Sequence, residues 1–220
     1  MTRLRQIELQ CPVCENRFHS QAVVSTNAFG GKRTDFHEHA AGTQPLPYFV
    51  HTCSHCGYTG ADHDFTGEIE VTPLLREHVW SELAPVVCGP AMASMSGSEK
   101  YEAAAKVAEW QGFEPRYVAD LLLRAAWCCV DEDDVEAERY FRRKAAWTFE
   151  KALESWDGAA REERAVLTYL VGELWRRVGY QKLAGEWFAR VPNEIIDEAT
   201  QQWVADAAVQ QCVAPREWFG

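Results

Sequence analysis

The sequence is short of positive charge. Lys and Arg number 22 against 33 Asp and Glu, and the formal net charge is −11. That balance disfavours nucleic-acid or anionic-membrane binding by the chain as a whole. Long apolar runs are missing too, and nothing approaches the roughly 18 consecutive apolar residues of a membrane span. Met1 to Gln10 is polar, so no secretory signal is expected there, and a reducing, cytoplasmic setting is expected for the cysteines. The sequence has no Gly-rich phosphate loop and no G-x-S-x-G elbow. No catalytic residue can therefore be named, and an enzyme is the less favoured reading.

What is present is a set of eight cysteines, four of them in two pairs: Cys11-Pro12-Val13-Cys14 and Cys53-Ser54-His55-Cys56. A C-x-x-C turn directs two thiolates at one point, and two such turns supply the four sulfurs that structural zinc prefers. Gly57 follows the second pair, where a knuckle needs a residue that tolerates positive φ. The expected cofactor is one structural Zn²⁺ per chain, held by Cys11, Cys14, Cys53 and Cys56. An iron site of rubredoxin type would use the same ligands. A thioredoxin-like redox pair needs a βαβ setting, and Cys11 comes too early for one. Cys88, Cys128, Cys129 and Cys212 stand outside the pairs.

Around these pairs the pattern predicts a small β module. Ile7 to Gln10 and Arg17 to Val24 read as strands flanking the first pair, and Tyr48 to Thr52 as the strand entering the second. Gln44-Pro45-Leu46-Pro47 reads as extended. Ile69 and Val71 would add a last short strand. From Met1 to Thr34 five basic residues face two acidic ones, whereas Asp35 to Glu70 holds six acidic residues and no Lys or Arg. Within that acidic half, Asp35, His37 and His39 would share one face of a strand, and Asp62 and His63 would approach from beyond the second pair. A second metal near His37 and His39 would make the protein a metalloenzyme, an alternative to a closed structural site.

Thr72-Pro73 opens a helix to about Leu83, with Thr72 as its cap. Pro85 to Gly97 has no period and reads as a linker. From Ser98 the chain turns helical. Val118, Leu121, Leu122, Ala125 and Cys129 form one stripe, and Leu167, Leu170, Val171, Leu174 and Val178 another, both at i, i+3, i+4, i+7, i+11. Asp131-Glu132-Asp133-Asp134 reads as an acidic start to the next helix; its spacing is not that of a calcium loop. Asp157-Gly158 and Gly179 read as helix stops. Gly172, Trp175, Gly179, Ala184 and Phe188 keep the spacing of one tetratricopeptide unit, while a closed bundle around the nine tryptophans would use the same helices. The fold class is thus α+β: a zinc-ribbon-like module at 1–71, a helix and linker at 72–97, and a tetratricopeptide-like helical domain at 98–220.

Several motifs together resemble the bacterial family called domain of unknown function 2225. They are Cys11-Pro12-x-Cys14 with Phe18; Arg33-x-Asp35-Phe36; Pro45 and Tyr48 ahead of Cys53-x-His55-Cys56-Gly57-Tyr58; Asp64-Phe65; Leu123-x-x-Ala126-Trp127; and Tyr169-Leu170-x-Gly172-Glu173-Leu174-x-Arg176-Arg177-x-Gly179, with Trp187-Phe188 beyond. The resemblance implies a zinc-ribbon-like front and a tetratricopeptide-like back, and it brings no activity, substrate or catalytic residue. The expected function is a binding or scaffold module whose helical surface meets a protein or peptide partner. A zinc-ribbon protein associated with nucleic acid or transcription is the further alternative, resting on Arg3, Arg5, Arg17, Lys32 and Arg33 and opposed by the net charge.

Overall fold

The computed structural model describes residues 1–67, 69–88, 95–155 and 161–219. It is an α+β structure. Strands β1 (Arg3–Gln10) and β2 (Arg17–Ser25) pair antiparallel, with Leu9 opposite Phe18 and Gln10 opposite Arg17. The first cysteine pair is the turn between them. Along β2, Phe18 and Ala22 are buried on one face while His19 and Gln21 are exposed on the other, as period-two geometry requires.

The second pair is likewise held between strands, but short ones: β3 (His51–Thr52) pairs with β4 (Thr59–Gly60). Here the structure departs from the sequence expectation. Leu46–Tyr48 forms a 3₁₀ turn, with Tyr48 N–H donating to the Pro45 carbonyl at 3.0 Å. A proline at the start of a single turn removes no N–H that the turn needs, so Pro47 is compatible with it. Ile69 and Val71 form no strand; the partner of β3 comes from Thr59–Gly60 instead.

Helix α1 (Pro73–His78) starts where the cap predicts, with Leu75 N–H on Thr72 Oγ1 at 3.1 Å. It runs on through a π turn at Val79–Leu83 into α2 (Ala84–Val87), so the linker reading fails at Pro85 to Val87. Most of the remaining linker, and Asp157-Gly158, lie outside the described residues. Helices α3 (Gly97–Trp110), α4 (Pro115–Asp131), α5 (Val135–Glu154), α6 (Arg161–Arg177), α7 (Gln181–Phe188) and α8 (Glu198–Val213) follow, and from α3 to α7 each packs on its successor. Both predicted apolar stripes are buried. A Cβ on Gly172 would lie 2.7 Å from the Phe188 ring, so glycine is what lets α6 and α7 approach there. Gly179 ends α6 at φ +92°.

Among the described residues two apolar clusters result. One unites the helices with Leu46 and Val50. The other joins the cysteines, Phe18, Tyr58 and Phe65 to Leu75, Val79, Leu83, Ala103 and Val107. The chain between β2 and the 3₁₀ turn crosses to the helices as a tight hairpin. Its rungs are Gly30 N–H to the His39 carbonyl at 2.9 Å, His39 N–H to the Gly31 carbonyl at 2.9 Å and Arg33 N–H to the His37 carbonyl at 2.8 Å. Phe36 closes its end at φ +71° and packs against Tyr169 and Phe219. The C-terminal tail adds to the hairpin edge, through Phe219 N–H to the Lys32 carbonyl and Thr34 N–H to the Glu217 carbonyl, both at 3.0 Å.

Candidate metal centres

The two knuckles repeat one backbone pattern. Cys11 N–H donates to the Asn16 carbonyl and Glu15 N–H to the Cys11 carbonyl; Cys53 N–H donates to the Tyr58 carbonyl and Gly57 N–H to the Cys53 carbonyl, all at 2.8–2.9 Å. The residue after each pair lies in the left-handed region, Glu15 at φ +61° and Gly57 at φ +78°. Only the second position requires glycine by contact as well, because a Cβ there would meet the Leu83 carbonyl oxygen at 2.7 Å.

This pairing brings four sulfurs together. Cys11 and Cys56 Sγ are 3.6 Å apart, as are Cys14 and Cys53 Sγ, and ligand atoms of all four lie within 4.8 Å of one another. Disulfide bonds need about 2.05 Å, and all four thiols are free. A tetrahedral zinc with Zn–S bonds of about 2.3 Å sets its sulfurs about 3.8 Å apart, so the donor set and its spacing fit a metal ion. The surroundings fit one too. Cys11, Cys53 and Cys56 are fully buried. Hydrogen bonding within the set raises the Cys11 and Cys56 thiols and lowers that of Cys53. A cation at the centre would bind all four as thiolates. The helical segment after β4 closes over the knuckles: an Arg76 guanidinium N–H donates to the Val13 carbonyl, and Cys88 Sγ to the His55 carbonyl at 3.0 Å. His55 itself is exposed and rests edge-on against Trp80, as a residue outside the donor set should be.

The second group read from the sequence divides. Asp62 bonds His51 Nε2, and His51 Nδ1 is 2.8 Å from Ser20 Oγ, so His51 links β3 to β2 and Asp62 holds its ring. His63 pairs with Asp64 at the surface. Asp35 is fully buried and turned toward the helices, where Arg142 Nη1 donates to Oδ2 at 2.6 Å and Trp127 Nε1 donates to the same oxygen at 3.2 Å. Burial pushes its carboxyl up, but Arg142 and Arg177 outweigh that and hold it well below the usual carboxylate range. His37 and His39 do come together, ring centroids 4.0 Å apart, and the carboxylate that meets them is Asp131. Burial, then the neighbouring His37 ring, holds His39 below the ordinary histidine range.

Asp131 was not legible as part of this group because the acidic run reads as one unit. The structure gives its members separate jobs. Asp131 ends α4; Glu132 accepts from Gly97 N–H at 2.7 Å and Ser98 Oγ at 2.8 Å at the start of α3; Asp134 caps α5 through Ala137 N–H at 3.0 Å. A carboxylate in the last turn of a helix opposes the helix dipole, and that misplacement was the one available signal. A buried network was missed as well. Thr34 Oγ1 donates to Glu173 Oε1 at 2.6 Å and accepts from Arg177 Nη2 at 2.8 Å, Tyr169 donates to the Thr34 carbonyl at 3.0 Å, and Arg176 Nε donates to Glu173 Oε2 at 2.7 Å. The Arg33-x-Asp35-Phe36 segment is thereby seated on the Tyr169-to-Arg177 segment.

Among the described residues no helix is long and apolar enough to cross a membrane. No curated protein and no solved structure matches the chain significantly. A family model does, over residues 4–212, and the chain accordingly belongs to the family described as an uncharacterized protein conserved in bacteria, DUF2225.

Proposed function

We propose that the protein is a structural-zinc binding module: Cys11, Cys14, Cys53 and Cys56 hold one Zn²⁺, and a cleft beside that module receives a protein or peptide segment. The observation that carries the reading is the enclosed set of four sulfurs with ligand atoms within 4.8 Å of one another, which leaves a bound ion no position for water or substrate. Zinc there ties the β1–β2 turn to the β3–β4 turn, and through Gly57 and Val13 to the helical segment above them. The sheet is otherwise two strands wide, too little to stand alone.

The cleft has a volume of about 470 Å³ and lies between β4 and helices α3 and α4. Tyr48, Phe49, Phe113 and Tyr117 supply apolar wall, and Asp120 and Arg124 supply charge of both signs. Aromatic walls with a few polar anchors suit a peptide segment. Consecutive antiparallel helices behind it are what a tetratricopeptide-like scaffold would use.

Two measurements test this. Plasma mass spectrometry on protein prepared without added metal should find zinc that survives dialysis and is lost in Cys11→Ser. Zinc-free protein whose cysteines titrate as free thiols would sink the reading. Selection of a random peptide library on wild-type protein should yield sequences that bind it and fail to bind a Phe113→Ser/Tyr117→Ser variant of unchanged circular dichroism. Equal binding to that variant would remove the cleft from the proposal.

A further inference from the structure

The hairpin that crosses to the helices carries the strongest unexplained feature of the molecule. His37 Nε2 lies 3.6 Å from Asp131 Oδ2, and His39 Nδ1 lies 3.5 Å from Asp131 Oδ1. Neither contact is a hydrogen bond, and both His37 nitrogens, His39 Nε2 and Asp131 Oδ2 are buried with no partner among the described residues. His37 is only 1% exposed. Buried polar groups are normally paired, so the facing orphans His37 Nε2 and Asp131 Oδ2 call for a species between them. One ligand atom from each of the three residues lies within 4.8 Å of the others.

We infer that His37, His39 and Asp131 form a second metal site, for a divalent first-row transition ion such as zinc or ferrous iron. Two imidazoles and one carboxylate are the donor set that such ions take when coordination positions are left open. Two other features agree. Asp131 stands at the C-terminal end of α4, where the helix dipole disfavours an anion and a cation restores the balance. The His37 ring is held in place before any ion arrives: Trp127 lies parallel to it, at 5.2 Å and 7°, and the indole N–H is fixed by Asp35, which Arg142 fixes in turn. Metal ligands are typically supported by such an outer layer.

The site differs from the four-cysteine centre in what it offers. With three protein ligands at least one position stays open, and one edge is accessible: the His39 and Asp131 side chains are 15% and 11% exposed. Trp218 of the C-terminal tail packs beside His39 at 5.0 Å and borders that opening. The ligand suited to the open position is a water or a small oxygen donor.

The test needs no knowledge of a substrate. The full chain, loaded with one zinc equivalent, is titrated with Co²⁺. A cobalt ion bound by nitrogen and oxygen gives weak visible bands, whereas cobalt bound by thiolates adds an intense near-ultraviolet charge-transfer band. We expect about one further equivalent to bind with the nitrogen–oxygen signature, and Asp131→Asn and His39→Gln to abolish it while the first zinc stays. Cys56→Ser should have the opposite selectivity, losing thiolate coordination only. Absence of any nitrogen–oxygen binding in wild-type protein would overturn the inference, and so would binding undiminished in both Asp131→Asn and His39→Gln. Because the first arm uses wild-type protein, poor folding of a variant leaves the answer intact. A failed four-cysteine reading would show separately, as missing thiolate bands when metal-free protein is titrated.

Discussion

The four-cysteine centre and the His37–His39–Asp131 cluster are both convergences of metal-ligating side chains, yet they are assembled differently. Each cysteine knuckle is a local object: six consecutive residues, two backbone hydrogen bonds and one left-handed residue set two sulfurs at a point. The knuckles then meet as two copies of one turn. In the other cluster the histidines come from the crossing hairpin and the carboxylate from the far end of α4, and nothing local aims them at each other. That aim depends on a hairpin seated by Asp35 on Arg142 and by Thr34 on Glu173. A motif is thus robust where backbone geometry makes it and contingent where packing makes it.

The largest effect expected is the one that breaks the local centre. Cys56→Ser should cost most of the metal-coupled folding energy of the β module, on the order of 10 kcal/mol for structural zinc. The zinc content should fall and the β1–β2 region should lose amide protection in hydrogen exchange, while helical circular dichroism is largely kept. Unchanged protection would show that packing alone supports the module.

Next is Arg142→Ala, which attacks the contingent cluster through its support. Removing one partner of a buried ion pair costs about 3–5 kcal/mol, and denaturant unfolding should show it with the four-cysteine zinc retained. The pH dependence follows from the depressed carboxyl of Asp35. A carboxyl whose folded-state pKa lies below its unfolded value of about 4 stabilises fully above that value and loses the contribution as pH falls through the folded one. Wild-type protein should therefore lose stability below about pH 4, and Asp35→Asn should be weaker at neutral pH with a flatter acid limb.

Two smaller changes compare the knuckles directly. Gly57→Ala should destabilise, with about 1–2 kcal/mol from the left-handed backbone alone and more because the new Cβ meets the Leu83 carbonyl. Glu15→Gly at the matching position of the first knuckle should stabilise, by about 0.5–1 kcal/mol, since relief of the left-handed strain outweighs the entropy glycine loses on folding. Thermal unfolding of the two variants with zinc bound reads both signs; equal signs would show that the knuckles are not equivalent.

Much of this molecule was legible in order of sequence range. The C-x-x-C pairs and Gly57 could be read because their geometry is completed within six residues. The stripes on α4 and α6 could be read because burial imposes a period of 3.6. The strand expected at Tyr48–Thr52 was half lost because a 3₁₀ turn and a short strand share the same apolar residues, and local pattern does not separate them. Asp35 and Asp62 were grouped with the histidines by nearness in sequence, whereas buried arginine and His51 claimed them in space.

The amino-acid sequence by itself determined the two knuckles, the helical hairpins and the family. Each rests on contacts between near neighbours, where spacing alone sets which side chains meet. Only the tertiary structure decided that the crossing hairpin lies against the end of α4, that Asp35 serves Arg142, and that Asp131 is the carboxylate facing His37 and His39. Those pairings join residues about a hundred positions apart, and their energy comes from buried charge and packing that exist only once the two segments are docked.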